Sequence, residues 1–139
     1  MRCRIYEAIG HIPVLAPTAV PQNKPTATAF VDMGQHREVS FVVTTGELAA
    51  KKKVTLELVG ADNVEGTLHA EKIADHVQTM AETGSFLGIV SYRPRPDQKR
   101  YVGVKIKHDG DGPVNVSVIC EADGNVSPAP VGSACLLVL

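Results

Sequence analysis

Tryptophan is absent from this 139-residue chain, and three Phe and three Tyr are its whole aromatic content. Carbohydrate-recognising β-domains stack sugars on exposed rings, so this scarcity weighs against glycan binding. Tyr92 and Tyr101 flank one turn and read as a cross-strand pair half covering a core rather than a sugar platform. The cysteines Cys3, Cys120 and Cys135 are odd in number and have no short metal-like spacing, which indicates reduced thiols rather than a disulfide framework. No apolar run approaches 18 residues and no basic-then-apolar leader opens the chain, so neither a membrane span nor a signal peptide is expected. A formal net charge of −1 gives no electrostatic footprint for nucleic acid or an anionic membrane.

Chemistry-bearing constellations are missing too. None of His11, His36, His69, His76 and His108 shares the i, i+2 or i, i+4 spacing that sets two imidazoles on one ion. The His-x-His pair with which cupins hold a metal is absent. Asp109-Gly110-Asp111-Gly112 resembles the start of a calcium loop, but the closing Glu is replaced by Cys120, and a turn explains the motif. No Gly-x-Ser-x-Gly elbow and no glycine-rich phosphate cradle occur. Cys120 and Cys135 read as small hydrophobes, and Lys51-Lys52-Lys53 as a solvated turn. The expectation is a chain with no catalytic residue, no cofactor and no metal.

What is present is a row of short alternating strands. Thr26–Asp32, Arg37–Thr45, Lys53–Val59, Ser85–Arg93, Arg100–His108 and Val114–Ala122 step between apolar and polar residues with turn signals between them. Val39, Phe41 and Val43 share one phase. So do Val54, Leu56 and Leu58; Phe86, Val90 and Tyr92; Val102, Val104 and Ile106; and Val114, Val116, Val118 and Cys120. Asp109–Pro113 reads as a tight hairpin connection. Six or seven such strands, with almost no helical periodicity, predict an all-β antiparallel two-sheet sandwich of jelly-roll type. Residues 67–82 mix their spacings, and the expectation there is irregular extended structure with room for a helical turn at Glu71–His76.

The domain organisation follows. Pro13, Pro17, Pro21 and Pro25 recur at every fourth position, which forbids a regular helix. Residues 1–25 therefore read as an extended N-terminal arm lying on its own sheet or on a neighbour. Residues 26–122 are the sandwich, and 123–139 an apolar C-terminal segment. Gly124–Leu139 holds no charged side chain, and reads either as a last buried strand or as an arm docking on another subunit. Arg93 to Lys107 carries six Lys or Arg against Asp97, whereas Asp109 to Leu139 carries four acids and no Lys or Arg. If neighbouring strands display these charges together, the surface has a basic and an acidic pole.

Two stretches carry a resemblance. Ala29-Phe30-Val31-Asp32-Met33-Gly34 followed by Arg37–Gly46, and Lys99–Ile106 followed by Val114–Cys120, resemble the small capsid cement, or decoration, proteins of tailed bacteriophages, those of short-tailed Bordetella phages in particular. The resemblance spans roughly residues 26–122. It implies a jelly roll on the outer surface of an icosahedral head, assembled in the host cytoplasm. The implied partners are the major capsid protein and a second copy of itself, with no nucleic acid and no membrane. On this reading Ile12, Val14, Leu15, Leu136, Leu137 and Leu139 make apolar capsid contacts, and Arg93, Arg95, Lys99 and Arg100 meet acidic capsid surface. The alternative is a non-catalytic sandwich module, for glycan or protein, displayed on a virion or tail.

Overall fold

A computed structural model describes residues 9–94 and 97–123. The strands are β1 (Ile9–Val20), β2 (Thr26–Ala27), β3 (Val31–Asp32), β4 (Val39–Leu48), β5 (Lys53–Ala61), β6 (Glu71–Thr79), β7 (Gly84–Tyr92), β8 (Tyr101–His108) and β9 (Val114–Asp123). A 3₁₀ turn at Met33–Gln35, capped by the Asp32 carboxylate on the Gly34 amide, joins β3 to β4.

One sheet has the order β1-β9-β4-β7. The other runs β2-β8-β5-β6, with β3 also pairing β8. Every pairing is antiparallel. Apart from the step from β2 to β3 along one broken edge, only the β5–β6 connection stays within a sheet. All other connections cross between sheets, which is jelly-roll topology and meets the fold expectation.

The strand phases agree with the alternation. On β4, Val39, Phe41 and Val43 are buried; on β9, Val114, Val116, Val118 and Cys120 are. Facing them are Val54, Leu56 and Leu58 of β5 and Val102, Val104 and Ile106 of β8. With no Trp to fill it, the layer between the sheets is packed mainly by branched aliphatics around Phe41.

Four expectations change. Ile9–Val20, expected as an extended arm on its own sheet or on a neighbour, lies on its own sheet as an edge strand, so the sandwich begins before residue 26. The prolines of β1 suit an edge position, and register shifts at Pro13/Leu15 and Leu15/Thr18 absorb them. Glu71–Thr79 is a strand with one register shift at Ile73 and no helical turn. It lies on an outer edge where only Ile73 is half-buried, so burial imprinted no alternation on it. Asp109–Pro113 is a crossover between sheets rather than a hairpin, because β8 pairs with β5 while β9 pairs with β1 and β4. For the same reason Tyr92 on β7 and Tyr101 on β8 belong to different sheets and are not a cross-strand pair.

The two long sides of the sandwich differ. On one, Ala29 donates its amide to the Val14 carbonyl at 2.8 Å, stitching β1 to the β2–β3 edge of the opposite sheet. There the buried Thr28 hydroxyl accepts the Val104 amide at 3.1 Å, replacing a carbonyl where the edge bulges. At the end of β1, buried His108 bonds the Val20 carbonyl through Nε2 at 2.7 Å and accepts the Gly110 amide on Nδ1 at 3.1 Å. The other side, between β6 and β7, is open. A cleft of about 260 Å³ lies there over Leu56, Leu58 and Val90, with His76 and Ser91 at its rim.

Candidate functional site

Three of the four basic residues expected to reach outward already have acidic partners within the chain. Arg93 Nε lies 3.1 Å from Glu38 Oε2, and Lys99 Nζ 3.1 Å from Asp62 Oδ2. Arg100 meets Asp32 with two N–H···O bonds of 2.8 and 2.9 Å and lies 5.4 Å from the centre of the Tyr101 ring. The Arg100 bonds, helped by the Gly34 amide, hold the Asp32 carboxyl below the usual carboxylate range against the opposing effect of burial. His69 and then Lys99 do the same for Asp62. This end of the sandwich is therefore a mesh of paired charges rather than a basic pole. Arg95 lies outside the described residues.

The apolar candidates divide similarly. Val14 is buried in the core, and Ile12 and Leu15 are half-buried and packed against it, so much of their apolar surface is already used by the sandwich. Leu136, Leu137 and Leu139 lie outside the described residues. The segment containing them follows Asp123, which ends β9 beside Ile9. Burial raises the Asp123 carboxyl, but the Arg37 and Glu38 amides and His36 outweigh it and hold the group below its ordinary value. His36 Nδ1 stands 3.2 Å from the Asp123 carbonyl oxygen.

A different surface stands out. Residues facing away from the core on the β1-β9-β4-β7 sheet line up across all four strands. Pro13 pairs with Ile119, Ile119 with Val42, and Val42 with Ile89. Leu87 extends this row along β7. Leu87 is 64%, Ile89 62% and Ile119 47% exposed, far more than a sandwich needs for its own stability. The flanking positions are hydroxyls paired with one another, Ser40 with Ser91 at 2.8 Å and Thr44 with Ser117 at 2.7 Å. Charge enters at the two ends of the face, at Glu121, whose Oε1 lies 3.9 Å from His11 Nδ1, and at Glu47 opposite Ser85.

This face carried a signal in the sequence. Phe41-Val42-Val43, Leu87-Gly88-Ile89-Val90 and Val118-Ile119-Cys120 put apolar residues in both phases of a strand, so both sides are apolar. Only cross-strand register shows that the outward members form one row.

Among the described residues, no group of three or more His, Cys, Asp or Glu could hold a metal ion. Burial pushes the Cys120 thiol up to about 12, which keeps it protonated and unreactive. No aromatic side chain among the described residues is exposed.

No family model and no curated protein matches the chain. Among solved structures, it is similar to the PBSX exported protein XepA with a TM-score of 0.53 and 12% identity, covering 91% of this chain and 41% of that one. This likeness shows the fold alone; the chain spans about two fifths of the XepA chain. It is also similar to a xylan-binding domain of carbohydrate-binding module family 22, at TM-score 0.41 and 10% identity over 87% of this chain and 89% of that one. A cowpea mosaic virus empty-particle protein matches at TM-score 0.41 and 9% identity over 99% and 92% of the respective chains.

Proposed function

We propose that this chain is a structural virion protein, a head cement protein akin to those of short-tailed Bordetella phages. On this reading it binds the outer surface of an icosahedral phage head and ties neighbouring major capsid subunits together against the pressure of packed DNA. The observation that carries the reading is the uncharged apolar row Pro13–Ile119–Val42–Ile89 across a stiff four-stranded sheet. Burying one such aliphatic side chain is worth about 1.5–3 kcal/mol, so one subunit gains a modest contact free energy. Many copies on one shell make that sufficient, because each contact is effectively intramolecular once its neighbours are seated. Because Arg93, Lys99 and Arg100 already have acidic partners, this reading takes the apolar face as the principal capsid contact.

The test is co-sedimentation of the purified protein with expanded heads stripped of it, across a salt series. Saturable binding at a fixed ratio to the major capsid protein, little changed by salt, is the expected result. Failure to bind would overturn the reading and return the chain to the alternative of a glycan- or protein-binding module.

A further inference from the structure

A sheet edge left unguarded invites another strand, and among the described residues this sandwich guards three of its four edges. β1 carries Pro13 and Pro17 with two register shifts. The β2–β3 edge is broken into two strands of two residues each. β6 carries Glu71, Lys72, Asp75 and His76. The edge at β7, Gly84-Ser85-Phe86-Leu87-Gly88-Ile89-Val90-Ser91-Tyr92, has nine residues with no proline and no charge.

We propose that β7 is a self-pairing edge. Two copies of this chain join antiparallel about a two-fold axis at Gly88, fusing two four-stranded sheets into one continuous sheet. The pairing itself does not depend on the capsid reading; only its reinforcement on a lattice does.

Backbone phase allows this axis, as it allows any axis through a residue of β7, and the side chains select Gly88. The Phe86 amide points toward β4, where it bonds Thr45 Oγ1 at 3.0 Å. Alternation along a regular strand then turns the amides of Ser85, Leu87, Ile89 and Ser91 to the free edge. An axis at Gly88 sets Leu87 opposite Ile89 of the second copy and Ser85 opposite its Ser91, so edge-facing groups meet edge-facing groups. An axis one residue away would match Leu87 with Ser91 or with itself.

The side chains are self-complementary about the same point. Read outward from Gly88, both directions give an aliphatic, a second apolar residue and a serine: Leu87, Phe86, Ser85 and Ile89, Val90, Ser91. No charge faces its own copy across the axis, whereas a β6 pairing would bring its charged residues to the junction. Pairing also sets Leu87 of each copy beside Ile89 of the other on the outer face, so the two apolar rows meet in one patch. A strand edge about 30 Å long belongs among small interfaces, under about 1,200 Å², so the free protein associates weakly. Copies held side by side on a lattice pair more completely.

The experiment measures the mass of the full chain by sedimentation velocity from micromolar to near-millimolar concentration. Alongside it stands a register test, in a chain with Cys3→Ser and Cys135→Ser. The double variant Leu87→Cys, Ile89→Cys should be linked into a dimer by a reagent bridging thiols about 5 Å apart, the spacing of directly opposed strand residues. Each single variant should link at least tenfold more slowly. Leu87→Pro, which removes an edge-facing amide, should leave only monomer. A chain monomeric throughout, a dimer that persists in Leu87→Pro, or equal linking of single and double variants would overturn the proposal. A wild type that stays monomeric yet sediments with heads would sink the self-pairing edge and leave the cement reading standing.

Discussion

Arg100 and Asp32, 68 residues apart in the chain, close one end of the sandwich through two parallel N–H···O bonds. The pair joins the start of the 3₁₀ turn to the entry of β8, and Asp32 also caps that turn through the Gly34 amide. Because Arg100 is 63% exposed, solvent screens much of this attraction.

Arg100→Ala should therefore lower stability only modestly at neutral pH, read by urea unfolding. The folded protein holds Asp32 below its ordinary pKa, so the pair's stabilisation is complete above the usual aspartate range and is lost as pH falls through the depressed value. The gap in stability between wild type and Arg100→Ala should shrink on acidification. A gap unchanged between neutral and strongly acidic buffer would refute the pair's role.

His108 offers the sharper stability test. Its ring serves the Val20 carbonyl and the Gly110 amide in a buried site, and removal leaves both backbone groups unpaired. His108→Ala should cost about 2–4 kcal/mol by chemical denaturation, and hydrogen exchange at the Gly110 amide should accelerate. A loss below 1 kcal/mol with unchanged exchange would mean that water replaces the ring without penalty.

The outer face separates function from folding. Ile89→Asp and Ile119→Asp place charge on exposed positions, so thermal stability should move by no more than about 0.5 kcal/mol. On the proposed cement reading, occupancy on stripped heads should fall at least tenfold for the pair combined. Arg93→Ala should change occupancy little, because Glu38 already engages that side chain. The reverse pattern would move the capsid contact to the charged end.

Cys120 should behave as core. With Cys3→Ser and Cys135→Ser in place, thiol reagents at neutral pH should label Cys120 only as fast as the protein unfolds, because the thiol is buried and its pKa is raised to about 12. Prompt labelling of folded protein would show that the β4–β9 layer opens locally.

The inward phases of β4, β5, β8 and β9 were legible from alternation, since a period of two is written in neighbouring residues. β6 was not: an edge strand exposed on nearly every side is under no pressure to alternate. The N-terminal prolines correctly signalled extended backbone, but prolines indicate an edge without saying whose. Pairing with β9, more than ninety residues away along most of its length, answered that.

The candidate site was less legible than the fold. Arg93, Lys99 and Arg100 looked like free positive charge because Glu38, Asp62 and Asp32 are 55, 37 and 68 residues distant. By itself, the sequence determined the strands and apolar phases of β4, β5, β8 and β9, and that local catalytic motifs are missing, because these depend on short-range order. Tertiary structure decided which strands pair, which charges cancel, and that Pro13, Ile119, Val42 and Ile89 form one row. Those outcomes depend on antiparallel register between distant segments, which is set by packing two sheets over one core.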